Sequence, residues 1–566
     1  MKKNFVLRGF TFVTTLCLSL SLLFATSLQA EELKPFFTIK VASPETLLKV
    51  AGKIAELAGT SKEFEATVAP FKDLAGLNPK DSIGFVLHSN GEELKEPILI
   101  LPINDLNAVN IPGFETITAG LKKLSDGKYV VNSPLGSYLF YQKNGFVAVV
   151  AEESELTIPD NPKTLFAEFE KDTLGFKIDF ENASLDAIET ALAIPQMFLA
   201  MQGGPEATQL IEQFNESLGI IHKEIRSIAF EISFDPKTAD LDATYVAVPK
   251  KGSESEKQSN DYKNTKTIFS GFLGNPSEVV FSMSHVETLT STDIEASFVT
   301  IDQLCDAVLE KIEEQSETDE EIEFGESVVE SLKKILIAST RKGKGDIGAS
   351  LNADGTLLLA FTISETEELE QVGVKIFDWF KKEHDEDKVN EFLKKYLKKN
   401  YTAIEGFNVS SLKIPLEEAA AWHELPEKLA KETVGVFWAF KNNEAVAVAA
   451  GFDFDQTEKL FHQALTKTNT PVPLQQPIYI LALQPLGKLL KKYMDSTVPD
   501  AAKVIELLAL VEEDAKITAS IEVVDAVIHE KARVSGKAVI AFANIIKTLA
   551  ANENNKTLDR SKIKPF

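Results

Sequence analysis

The same local text occurs twice in this chain, and any fold must accommodate both copies. Ser82-Ile83-Gly84-Phe85-Val86-Leu87-His88-Ser89-Asn90-Gly91 is followed by a second apolar run, Pro97 to Ile103. Asp346-Ile347-Gly348-Ala349-Ser350-Leu351-Asn352-Ala353-Asp354-Gly355 is followed by Thr356 to Phe361. Gly84 to Gly348 and Gly91 to Gly355 are both offsets of 264. Asn-Gly and Asp-Gly are strong hairpin turns, because a type I′ turn needs positive φ at both central residues. A second hairpin follows in each half: Tyr138 to Val149, turning at Asn144-Gly145, resembles Val436 to Val448, turning at Asn442-Asn443. Each half then closes alike. A strand (175–180; 478–483) leads into a helical stretch, and Glu224–Asp235 and Asp514–Asp525, at an offset of 290, each read as another hairpin. Order shared across three hairpins points to an internal duplication with insertions.

Helices fill the intervals. Ser43-Pro44-Glu45 supplies a cap, a proline at the first helical position and an acid in the first turn. Leu47, Leu48, Ala51, Ile54, Ala55 and Ala58 then form one apolar face, and 296–339 and 366–398 carry further long periodic stretches. Hairpins alternating with long helices predict an α+β fold of two related halves, each an antiparallel sheet covered on one face by amphipathic helices. The expected organisation is a signal peptide over 1–30, an N-terminal half over 31–249, a linker over 250–276, a C-terminal half over 277–550 and a flexible tail over 551–566. The linker is read from Lys250 to Asp261, which is polar throughout.

The leader reading rests on Lys2, Lys3 and Arg8, an apolar run of fifteen residues from Phe10 to Phe24, and the small Ala30 before Glu31-Glu32. The run is shorter than the roughly 20 residues needed to span a bilayer, so cleavage near Ala30 and export to the periplasm or beyond are expected. No later stretch is long and apolar enough for a span, and Pro565 spoils a final barrel strand. The remaining chain would carry 56 cations against 85 acids, a net charge of −29. Such acidity opposes binding to nucleic acid and charge-driven binding to anionic lipid. Only Cys305 remains after the leader, so no internal disulfide forms. With Ile301, Leu304, Val308 and Leu309 it lies on one helical face as a buried structural thiol.

Motifs that carry chemistry are sparse. Gly343-Lys344-Gly345-Asp346-Ile347-Gly348 matches G-x-G-x-x-G, but a helix precedes it and a hairpin follows, the reverse of a dinucleotide site. Ser331–Lys334 and Ser410–Lys413 fit S-x-x-K without partner motifs and read as surface residues. The seven histidines (88, 222, 285, 384, 423, 462, 529) form no H-x-x-x-H or H-x-H pair. The acidic runs 384–387 and 318–323 lack the ligand spacing of an EF-hand and read as solvated faces. No catalytic, cofactor-binding or metal residue is assigned, and no cofactor is expected. Were a dispersed hydrolase site present, His88, His285, His423 and Asp105 would be the first positions to inspect.

The first half also carries a family resemblance, in Ile83-Gly84, Pro97-Ile98, Pro102-Ile103-Asn104-Asp105-Leu106, the aromatic hairpin Tyr138 to Glu152, and Leu156-Thr157-Ile158-Pro159-Asp160. It resembles a family of exported proteins from planctomycete-type bacteria that has no established activity. The match covers roughly 36–250, and where many such sequences have Arg-rich helices this chain uses Lys and acid. The resemblance implies compartment and fold and transfers no site. The expectation is therefore an exported, non-catalytic protein that binds a partner or serves the envelope. The alternative is a carrier of small apolar or lipid-like ligands in a Phe-rich cleft.

Overall fold

The structure is a computed structural model that describes residues 33–560 apart from 70–75, 110–119, 134–135, 155, 170–173, 194–195, 197–214, 216, 276–277, 290, 317, 384–385, 420–430, 475–476 and 494–498. The expected signal peptide and His423 lie outside the described residues. The fold is α+β, built on antiparallel sheet. It divides into two compact units, one of residues 1–260 and 522–536, the other of 261–521 and 537–566.

Unit 1 contains β1 (Lys34–Val41), β2 (Ile83–Ser89), β3 (Leu94–Leu101), β4 (Lys122–Ser125), β5 (Lys128–Ser133), β6 (Gly136–Lys143), β7 (Phe146–Ala151), β8 (Leu174–Asp179), β9 (Ile225–Phe234) and β10 (Leu241–Pro249). Neighbouring strands run in the order β4-β5-β6-β7-β3-β2-β1-β8-β9-β10, every pair antiparallel. α1 (Pro44–Ala58) and α2 (Ser61–Val68) join β1 to β2. The Ser43 hydroxyl caps α1 by accepting from Thr46 N, as its sequence predicts.

Unit 2 contains β11 (Lys266–Thr267), β12 (Val279–Thr288), β13 (Lys344–Asn352), β14 (Leu357–Thr362), β15 (Leu397–Ile404), β16 (Phe407–Pro415), β17 (Thr433–Lys441), β18 (Ala445–Gly451), β19 (Val472–Pro473), β20 (Tyr479–Ala482) and most of β21 (Lys516–Val524). Its main sheet runs β15-β16-β17-β18-β14-β13-β12-β20-β21, again all antiparallel. Strand for strand this is the order of β4 through β9 in unit 1. Helices occupy matching connections: α4 (Ser291–Gln315) and α5 (Asp319–Thr340) join β12 to β13, where α1 and α2 join β1 to β2. α6 (Thr366–Glu383) and α7 (Glu386–Tyr396) follow β14, α8 (Phe454–Thr466) follows β18, and α9 (Leu483–Tyr493) and α10 (Pro499–Ala509) separate β20 from β21. The outer strands β4 and β15 carry Lys122-Lys123 and Lys398-Lys399, charges that discourage edge-to-edge pairing.

The glycines at the 264-residue offset have one physical role. A Cβ on Gly84 would sit 2.3 Å from the Phe166 ring, and one on Gly348 would meet Phe269 Cβ at 2.7 Å. In both units a phenylalanine lies directly on the second strand, in the space a side chain would take. Phe166 belongs to a cluster with Val86, Ile98, Ile100 and Phe146. Phe269 and Phe272 pack with Phe407, Phe437 and Phe461, all fully buried.

Several expectations change. Glu224–Asp235 and Asp514–Asp525 are single long strands, β9 and β21, whose return strands are β10 and Val527–Val534 (β22). β22 pairs along β10, so residues 522–536, expected in the C-terminal half, complete unit 1. At its far end Asp240 accepts from Gly536 N at 2.6 Å and pairs with Arg533, fixing the chain where it leaves that sheet. The stretch expected to be a linker over 250–276 holds a helix: α3 (Glu254–Lys263) follows a Ser253 hydroxyl that accepts from Glu256 N. Thr267, Phe269 and Phe272 beyond it are buried. The tail expected to be loose is helical to Arg560, as the end of α11 (Gly536–Arg560). Cys305 is buried with Ile301 and Val329 in the α4–α5 seam, yet Leu304 and Val308 stay exposed, since only one flank of α4 meets α5.

Filling either glycine site should force the phenylalanine off its strand. Gly84→Val and Gly348→Val are each expected to cost about 3 kcal/mol or more, lowering the melting temperature of the affected unit by roughly 10 °C. Calorimetry on the two variants checks this, and unchanged melting would contradict the packing account.

Candidate functional site

Unit 2 holds a cleft of about 440 Å³ where three stretches of chain converge. One wall is made by Gly271, Gly274, Asn275 and Glu278, the second by the β13–β14 turn with Asn352, Ala353, Asp354 and Leu358, and the third by a face of α8. Gln456, Leu460, Gln463, Ala464 and Lys467 form that face, at the 3–4-residue spacing that stacks side chains along a helix. The close approach of the first and third walls requires glycine, because a Cβ on Gly271 would lie 2.5 Å from the Ala464 carbonyl oxygen.

Chemistry varies with depth. Glu278, Asp354, Gln463 and Lys467 are exposed at the mouth, whereas Asn352, Leu358 and Ala464 are buried. Beneath them lies Ser350, 0% exposed, whose hydroxyl has no hydrogen-bond partner. Its position behind the cleft wall follows from three relations. Ser350 shares a face of β13 with Asn352, it pairs with Leu358 across the ladder, and its Oγ is 3.2 Å from where a Gly274 Cβ would stand. Gly274 has φ +67°, and a Cβ there would also lie 2.7 Å from Asn352 Oδ1 and Val279 Cγ1, so the hydroxyl is covered by packed protein. A buried hydroxyl without a partner costs roughly 1–3 kcal/mol, so it needs an explanation. Ser284, on β12, is likewise buried and unpartnered.

Asp346 holds the first wall in place. This carboxylate is 7% exposed, accepts from the Thr267 hydroxyl at 2.8 Å and from Ile268 N at 2.7 Å, and so pins the segment leading to Phe269 and Gly274. Burial drives its pKa above the ordinary aspartate value, against the pull of those two donors. On the outer side of α8, the Tyr401 hydroxyl donates to Glu458 at 2.7 Å and lies 3.1 Å from His462 Nε2. Burial and the Glu458 carboxylate push the phenol's pKa up, so Tyr401 stays a proton donor that ties α8 to β15.

The positions singled out from sequence do not converge. His88 is buried on β2 opposite Lys95, and Asp105 is exposed beyond the other end of β3, about 20 Å away at ~3.3 Å per strand residue. His285 is on β12 in unit 2, 3.9 Å from Glu287. The S-x-x-K serines, expected at the surface, are buried. Ser331 accepts from Lys375 Nζ at 3.3 Å, and Ser410 accepts from Asn400 N at 3.0 Å in the irregular β15–β16 pairing. Gly343 to Gly348 follows a helix and opens a strand, the reverse of the strand–turn–helix order a dinucleotide site needs. Thr318 and Glu321 form a capping box on α5. Among the described residues no group of three or more His, Cys, Asp or Glu side chains is placed to hold a metal ion, and no helix is long and apolar enough to cross a membrane.

A second, smaller cleft of about 270 Å³ in unit 1 lies between Arg226, Lys251, Glu181, Glu256 and the Asp525-Ala526 turn. Its Glu256 already accepts from Gly252 N. No protein-family model, curated protein or solved structure matches this chain.

Because the folded-state pKa of Asp346 is raised, its contribution to stability is complete below the unfolded value near 4 and is lost as pH rises through the folded value. Asp346→Asn, which cannot ionise, should therefore show a flatter dependence of unfolding free energy on pH from about 4 upward. Denaturant melts at a series of pH values measure it, and parallel curves for the two proteins would refute the assignment.

Proposed function

We propose that this chain is an exported, non-catalytic binding protein, made of two copies of one α+β module, in which unit 2 carries the ligand site. The unit 2 cleft is the observation that carries the binding role: about 440 Å³, lined by Asn275, Gln456, Gln463 and Lys467 beside Leu358 and Ala464. That volume falls within the roughly 300–1,000 Å³ usual for ligand pockets. The duplication reading is supported by nine strands in the same order and by paired glycines that each accept a phenylalanine. An unmatched order would have removed it. Export, membership of the planctomycete-type family and an envelope-associated role rest on the leader and on the first-half motifs.

The apolar-carrier alternative needs phenylalanines facing a cavity. The largest clusters instead pack their rings against one another, Phe272 on Phe461 at 6.2 Å and Phe437 on Phe454 at 4.9 Å between centroids. Amides and charges dominate the cleft mouth, which favours a polar ligand.

Expression in a bacterium with an intact export pathway tests the compartment. Intact-mass measurement of protein released from the periplasm is expected to show a chain beginning at Glu31. Recovery only from the cytoplasm with Met1 to Ala30 retained would contradict export.

A further inference from the structure

Away from the cleft, to which it contributes no residue, the α4–α5 hairpin of unit 2 turns an apolar face to solvent. Leu304 and Val308 on α4 are 61% and 48% exposed, and Leu332 and Leu336 on α5 are 37% and 46% exposed. The hairpin is antiparallel, with Ile312 over Gly325 near its turn and Arg341 over the Phe298 ring at its open end. Cys305 and Val329 mark the packed seam, and Lys333 pairs with Asp302 at 2.7 Å along one side of it. At about 100° per residue, Leu304 and Val308 lie about 100° and 60° around α4 from Cys305, on the side away from Asp302. By the same count Leu332 and Leu336 lie about 60° and 20° around α5 from Val329, on the side away from Lys333. All four side chains therefore emerge together, on the side of the seam opposite that ion pair. Scattered exposed apolar residues are ordinary, but four on one face mark an interaction surface.

We propose that this face docks a cationic amphipathic helix of a partner protein. Side chains four residues apart on two adjacent helices present the ridges and groove into which a third helix packs, and such a helix is read through apolar anchors at i, i+4 and i+7. Charge selects the partner. Residues 291–340 carry fourteen acids against three lysines, a net charge of −11 within a chain of −26. A second copy of the hairpin would bring the same charge against it, and an anionic lipid surface would be repelled. A helix is ~10 Å across, about the Debye length at 0.1 M salt. Exposed acids on the flanks, among them Glu310, Glu313, Glu326 and Glu330, therefore act on lysines carried along the edges of the docked helix. Leu304→Gln combined with Leu332→Gln removes two anchors, and because both residues are exposed the melting temperature should hold. Val299, 58% exposed, is the control position, since it lies about 120° from Cys305 on Asp302's side of α4.

The experiment is fluorescence anisotropy of the full chain with a labelled helical peptide of leucine and lysine in amphipathic order. A scrambled peptide of the same composition and a peptide with glutamate for lysine serve as contrasts, and sedimentation velocity follows the chain alone. The amphipathic cationic peptide is expected to bind more tightly than either contrast and to weaken as salt is raised. Its affinity should fall about tenfold in the Leu304→Gln/Leu332→Gln variant and stay unchanged in Val299→Gln. Equal binding of the scrambled peptide, or indifference to the double variant, would overturn the docking face. Preference for the glutamate peptide, or no binding at all, would overturn the proposal. A dimer of the chain alone that the double variant abolishes would overturn it too, by making the occupant a second copy. Each of these results leaves the unit 2 cleft and its binding role standing.

Discussion

In each unit a phenylalanine takes the space over a glycine in the second strand of the sheet, the Phe166 ring over Gly84 and the Cβ and carbonyl of Phe269 over Gly348. Strands tolerate glycine poorly unless another part of the chain needs the space. Here the space admits the segment that closes the core over that face of the sheet. The two rings come from different places: Phe166 follows β7, whereas Phe269 precedes β12. The socket is common to both units, and the plug is local.

That difference sets which concavity each unit holds. In unit 2 the plug runs on past Phe272 to Gly274, laying backbone along β13 above Ser350 and Asn352. α8 packs beside it, with Phe461, Ala464 and Leu465 in the same cluster as the plug. The cleft is the gap left where plug, hairpin turn and helix meet. In unit 1 the equivalent plug is a short helical turn, Pro162–Phe166, and the cleft found there instead lies by the Asp525-Ala526 turn. The same strand order therefore supports different concavities because the connections differ.

Local turn chemistry was legible in the sequence wherever a residue type was compulsory. Gly91, Gly145 and Gly355 adopt φ of +98°, +81° and +95°, conformations that side chains resist, so Asn-Gly and Asp-Gly announced their hairpins. Glu224–Asp235 has no turn former, and its ten residues Ile225–Phe234 run as one long strand whose return partner, β10, begins only at Leu241. The 250–263 stretch looked like a linker since its helix is polar, held by a Ser253 cap and by the Glu224 carboxylate on Ser255 N at 3.1 Å. Residues 522–536 could not be placed from local text, because pairing with β10 is a contact across nearly 300 positions. The cleft was illegible for the same reason, being assembled from segments near 274, 352 and 460. Asp346 and Ser350 stood within the repeated text, but nothing local marks which strand residues will lie under a crossing segment.

The account stands or falls on the claim that one module was used twice. A crystal structure of residues 31–566 would measure this directly. The account predicts that β4 through β9 superpose on β15 through β21 with Gly84 over Gly348 and with a phenylalanine over each glycine. Strands that refuse that alignment would contradict it.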